Sequence, residues 1–204
     1  MNMKSNFISL LGLTAITFLL SACSGNKNED SGSHADHQHD VVEGKVPEAS
    51  APQFDAPEDF QHQLGNVFAS YTALKDAFVA SDSEKVRTEA SSTSQAVGKV
   101  DMKLLTGPAH NDWMAYLTPI NNSLKQIEES SDLEIQREAF STLSDNLYKS
   151  IKAFGLGGKE AFYDFCPMAF NNEGGYWLSD SEQIQNPYFG DKMLNCGVVK
   201  EKLQ

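Results

Sequence analysis

Familiar catalytic motifs are missing from this chain. Only three cysteines occur in 204 residues, and no two are spaced Cys-x-x-Cys, the usual arrangement of a thiol oxidoreductase. No Gly-rich phosphate loop, Gly-x-Ser-x-Gly or His-Glu-x-x-His appears, which removes the common signatures of phosphate, acyl and zinc chemistry. No Glu-x-x-His pair is present to build a di-iron helical site. Basic residues are scarce, 16 Lys and Arg against 28 Asp and Glu, so nucleic acid and anionic headgroups are poor partners. There is no repeat of 20–50 residues. His62 and His110 lie on predicted helices, far in sequence from Cys166, and read as surface or capped histidines. The chain therefore reads as a binding protein rather than an enzyme.

What is present begins at the N-terminus. Lys4 precedes an apolar stretch from Phe7 to Leu20 of about 14 residues, short of the roughly 20 needed to span a bilayer as a helix. Small residues follow, ending in Leu20-Ser21-Ala22-Cys23. This is the layout of a secretory signal peptide, and its end resembles a bacterial lipobox. The resemblance implies cleavage before Cys23 and lipidation of that cysteine, with two or more acyl chains giving a firm membrane anchor. The expected location is the cell envelope, reached through the inner membrane, with the lipid in the outer membrane. Removing 1–22 leaves enough chain for one ordinary domain and a tail.

Residues 23–56 carry Ser, Gly, Asn, Asp, Glu and Pro and almost nothing large and apolar. Such a stretch cannot bury enough surface to offset its ordering entropy, so it reads as a disordered tether. Within it His34, His37 and His39 alternate with Asp36 and Asp40, a subsidiary candidate for metal capture.

From Pro57 the pattern becomes helical. Phe60, Leu64, Val67, Phe68, Tyr71, Leu74 and Phe78 recur at helix spacing behind Glu58 and Asp59, which suit the positive end of a helix dipole. Asp82 can cap a second helix through Val86, Ala90 and Val97. Gly107-Pro108 is read as a break. A third helix carries Trp113, Ile120, Leu124 and Ile127, with a kink expected at Pro119. Ser131 or Asp132 starts a fourth, ending at Gly155. Four amphipathic helices with short links over 57–158 predict a mainly α protein, an antiparallel four-helix bundle. Residues 159–204 predict a small C-terminal β-hairpin: a strand over 162–170, a turn at 171–174, a return over 175–179 and a last short strand at Val198-Val199.

Two soft-sulfur pairs lie in that tail. On a strand Cys166 and Met168 project to one side, and in a helical turn Met193 and Cys196 share a face. Thiolate with thioether is a soft ligand set that selects Cu(I). If turn and strand dock, Cys166, Met168, Met193 and Cys196 form one metal site. The competing reading needs no metal. Two cysteines outside the cytoplasm are by default a disulfide, and Met168 and Met193 then fill the core.

The segments Phe165-Cys166-Pro167-Met168-Ala169, Gly174-Gly175-Tyr176-Trp177-Leu178-Ser179, Ile184-Gln185-Asn186-Pro187-Tyr188-Phe189-Gly190 and Lys192-Met193-Leu194-Asn195-Cys196-Gly197 resemble a domain of unknown function, DUF3347-like. It is found in stand-alone lipoproteins and at the ends of periplasmic adaptor subunits of heavy-metal efflux pumps. The resemblance is close over 162–199 and looser over the helices. It implies handling of copper or a related metal, and efflux-pump components as partners. The Cys-Pro-Met start and Cys-Gly end also resemble short heavy-metal-binding modules, with Ala169 standing where those carry His. A protein-interaction lipoprotein is a further reading, with Tyr176, Trp177, Tyr188 and Phe189 as either partner anchors or core.

Overall fold

The four apolar stripes become four long helices. A computed structural model of the chain describes Pro47 and residues 51–204, all within one compact unit, Glu43–Gln204. The signal segment, Cys23, His34, His37 and His39 lie outside the described residues. Helix α1 spans Glu58–Val79, α2 Ser83–Val97, α3 Gly107–Glu129 and α4 Leu133–Phe154. Asp82 caps α2 by accepting from the Lys85 N–H at 3.0 Å, and Asp132 caps α4 by accepting from the Glu134 N–H at 2.9 Å. Each of these caps satisfies an N–H that the helix leaves orphaned.

One expectation about proline changes. Gly107-Pro108 does not break the chain; it opens α3, where a proline without an N–H forfeits no helical hydrogen bond. Helix α3 then continues through Pro119 as one helix.

Each helix packs on the next in sequence, and α1 also touches α4. Leu64, Tyr71, Leu74, Phe78, Trp113, Leu124, Phe140 and Phe154 are buried at the centre. Burial of one such side chain contributes about 1.5–3 kcal/mol. Phe60 meets Trp113 and Phe154 edge-on, and Tyr71 stacks on Phe140.

The tail forms a three-stranded antiparallel sheet in the order β2-β1-β3: β1 Ala161–Cys166, β2 Gly175–Ser179 and β3 Val198–Leu203. The protein is therefore mainly helical with a small C-terminal sheet. The last strand is longer than Val198-Val199, and it pairs with β1, which places β1 at the centre. The first strand is shorter than expected and stops at Cys166.

A row of aromatic rings holds the sheet to α4. Tyr148 of α4 stacks on Tyr163 at 3.8 Å, Tyr163 on Tyr176 at 4.9 Å, and Tyr176 lies against Phe165 at 4.4 Å. The Tyr163 hydroxyl donates to Asp145 and the Tyr148 hydroxyl to Glu201. Both hydroxyls are pushed well above the usual tyrosine range, chiefly by burial, with the neighbouring carboxylates adding to it.

The last residues of the expected tether are attached to this body. The Gln53 and Phe54 N–H groups donate to the Lys152 and Ala153 carbonyls at the end of α4, at 3.2 and 2.9 Å. Phe54 stacks on Phe154, and Ala56 is buried. The Lys202 N–H of β3 donates to the Pro47 carbonyl. Phe54 is the large apolar residue that makes docking worthwhile, so a disordered reading does not extend to residue 56.

Candidate functional site

Cys166 is the last residue of β1 and is fully buried. Along β1 the residues Phe162, Asp164 and Cys166 alternate to the buried side, while Tyr163 and Phe165 are half-buried. Cys196 reaches the same place from the loop before β3. A turn, in which the Cys196 N–H donates to the Met193 carbonyl at 3.0 Å, sets its direction. The two sulfurs stand 2.8 Å apart and are not joined by a bond in this structure. The neighbouring Cys166 thiol, with a smaller contribution from burial, pushes the Cys196 thiol up to about 11. Cys196 therefore holds its proton at neutral pH, and a metal that binds there has to expel it.

Asn186, which positions this loop, carries no signal of that role in the sequence. Asn186 is fully buried. Its side-chain N–H donates to the Cys196 carbonyl at 2.7 Å, and its side-chain oxygen accepts from the Tyr188 N–H at 2.8 Å. Its backbone N–H donates to the Leu194 carbonyl at 2.8 Å. One amide thus ties both arms of the 186–196 loop together. An asparagine before a proline reads only as turn chemistry in sequence.

Gly197 closes the approach. A Cβ there would lie 2.8 Å from the Trp177 ring, and its φ of +153° is one that side chains rarely adopt. Trp177 and Tyr188 are both buried, so two of the four aromatics weighed as partner anchors belong to the core. The Tyr188 hydroxyl donates to the Tyr176 carbonyl, and its ring meets Trp177 edge-on.

The methionines take a different position. β1 ends at Cys166, and Met168 has helical rather than extended backbone angles, φ −91° and ψ −11°. The same-side argument for Cys166 and Met168 rested on a strand continuing to 170, and it does not apply to this backbone. Met168 is 46 % exposed, two residues after a cysteine with no exposure. Met168 and Met193 line one surface depression of about 410 Å³, together with Glu134, Glu138, Phe170 and Phe189. Neither cysteine lines it. The four sulfur residues thus fall into two cysteines in contact and two methionines that share a separate depression. Among the described residues no group of three or more His, Cys, Asp or Glu gathers to hold a metal ion.

Residues 67–159 match the family described as Protein of unknown function (DUF3347). The DUF3347 match begins inside α1 and ends just before β1, so it spans the helices and stops short of both cysteines. The closer resemblance had been expected over 162–199, outside the matched residues. No curated protein and no solved structure matches the chain.

Proposed function

We propose that this chain is a non-catalytic, lipid-anchored protein of the cell envelope, tethered in the outer membrane through Cys23, that binds Cu(I) at Cys166 and Cys196. In this reading the four helices form an antiparallel bundle that serves as a rigid platform, and the sheet presents the thiols. The observation that carries the reading is the meeting of the two cysteine sulfurs, 30 residues apart in sequence and 2.8 Å apart in space. Two thiols so placed offer two soft anionic donors once their protons leave, a set that favours Cu(I) over hard ions. Heavy-metal efflux components are the partners that such a cargo suggests.

The same sulfur contact favours a second reading, a structural disulfide without metal, because an oxidising compartment converts adjacent thiols to a bond. One experiment separates the two. The full chain is purified in detergent, its free thiols are counted, and Cu(I) is titrated without oxygen against a competing chelator. Two thiols beyond the lipidated Cys23 and one competed Cu(I) per chain are expected, with loss of that Cu(I) in Cys166→Ser and in Cys196→Ser. An absence of thiols in protein isolated from the envelope, together with no competition for Cu(I) after reduction, would leave only the disulfide.

A further inference from the structure

Cys166 is sealed inside the protein, whereas the exposed Met168 and the half-buried Met193 line a surface depression that neither cysteine lines. We propose that Met168 and Met193 form a second, surface site for a soft monovalent cation, separate from the thiol pair and exchanging its ion with it. The exchange rests on the Cu(I) reading above; the thioether site itself does not.

Three observations converge on the depression. First, its two sulfurs are neutral, polarisable donors, which suit Cu(I) or Ag(I) and offer little to Zn(II), Mg(II) or Ca(II). Second, Glu138 lines the same surface and leaves it one net negative charge beside the Glu134–Arg137 ion pair, which favours a cation there. The Arg137 guanidinium is already engaged: it bonds Glu134 at 3.0 Å, the Pro187 carbonyl at 3.0 Å and the Ser81 hydroxyl at 3.1 Å.

Third, the wall of the depression is held in strained backbone. Phe170, Asn171 and Asn172 take positive φ of 51°, 57° and 71°. Asparagine tolerates the left-handed region, but a bulky phenylalanine is disfavoured there. The turn persists because the Gly174 N–H donates to the Ala169 carbonyl at 3.0 Å and the Phe170 ring packs edge-on against Tyr188. Strain maintained in this way clusters at sites that bind. Here it turns the chain back directly after Met168, and Met168 and Phe170 line the same depression as Phe189 and Met193.

The chain itself connects the two stations. Met168 lies two residues beyond Cys166, and the Met193 carbonyl accepts the Cys196 N–H. A weakly held ion on the thioethers therefore has a thiol next to each of its ligands in sequence. Weak, neutral donors suit loading and release; thiolates suit retention.

The test uses Ag(I), which is redox-inert, and the full chain in detergent with its methionine methyl groups labelled with carbon-13. The Cys166–Cys196 pair is first oxidised, which removes the thiols as ligands without a substitution. The Met168 and Met193 methyl signals should shift together along one Ag(I) titration curve, and the signals of the exposed Met102 and Met114 should move at least tenfold less readily. In Met168→Leu/Met193→Leu, which conserves volume, Ag(I) binding by the oxidised chain should weaken at least tenfold. Equal movement of all four methyl signals, or no weakening in the double variant, would overturn the site. In the reduced chain the double variant should keep the tight thiol site within about threefold. A tenfold loss there would mean that the four sulfurs act as one centre, which overturns the separation and leaves the Cu(I) reading standing. Failure of the reduced wild-type chain to take Ag(I) tightly would instead count against the Cu(I) reading.

Discussion

Asp164 sits at the centre of β1 with no exposed surface, and neither of its carboxylate oxygens has a hydrogen-bond partner. Trp177, its cross-strand neighbour, is equally buried, and its indole N–H is also without a partner. Burial pushes the Asp164 carboxyl up to about 7; the Lys75 ammonium opposes the shift only in part. Lys75 itself is buried and pairs with Asp76 at 2.7 Å. The folded protein therefore holds this proton across a range of pH in which the unfolded chain releases it. Stability linked to Asp164 is fully present below about pH 4, is lost as pH rises, and levels off above about pH 7. The span is on the order of 4 kcal/mol. Asp164→Asn cannot ionise and should abolish this dependence. Its amide brings unpaired polar atoms of its own, so the informative quantity is how the melting-temperature difference between variant and wild type changes with pH. That difference should move in favour of the variant between pH 4 and pH 7, in thermal melts of metal-free protein. A constant difference would mean that Asp164 ionises freely in the folded state.

At the scale of elements, the sheet is fastened to the helices by a single buried hydroxyl as well as by stacked rings. The Leu178 N–H of β2 donates to Tyr71 Oη at 3.1 Å, the Tyr71 hydroxyl bonds Ser144 of α4 at 2.6 Å, and Ser144 in turn donates to the Phe140 carbonyl at 2.8 Å. This chain joins α1, α4 and β2 inside the core. Tyr71→Phe keeps the ring packing on Phe140 but leaves the buried Leu178 N–H without its acceptor. It should cost about 1–3 kcal/mol in urea unfolding and speed amide exchange at Leu178 beyond its neighbours. Periodicity alone located Tyr71 on the buried stripe of α1, as it located all four helices, because a 3.6-residue apolar repeat persists over many turns. The Asp82 and Asp132 caps were legible for the same local reason. The partner of the Tyr71 hydroxyl was not legible, since Leu178 lies 107 residues away and no local pattern encodes it. The site divides in the same way. The sequence brought Cys166 and Cys196 into one candidate pair, and they meet. It placed Met168 on a continuing strand, and the left-handed turn at Phe170 to Asn172 redirected it. Asn171-Asn172 is a signal for a turn, but nothing local says that Phe170 joins it.

Across the whole described unit, the sulfur pair joins the central strand β1 to the segment that feeds β3, the strand whose Lys202 N–H holds Pro47. A covalent link between Cys166 and Cys196 closes a loop of about 30 residues, which by chain entropy contributes about 3–4 kcal/mol. For a chain of this size that corresponds to roughly 5–15 °C in melting temperature. Reduction should lower the melting temperature by that amount and leave the far-ultraviolet spectrum unchanged at 25 °C, because the helices do not depend on the bond. Soft-metal binding to the reduced pair rejoins the same two segments, and any ligand that binds only the folded state stabilises it by mass action. Calorimetric scans of three samples should therefore rank the oxidised chain above the reduced one and restore much of the difference when Ag(I) is added to the reduced chain. In Cys166→Ser both the drop and the restoration should vanish. If the reduced and oxidised chains melt together, a bond between the two sulfurs does not hold these segments to one another, and the pair loses its structural part.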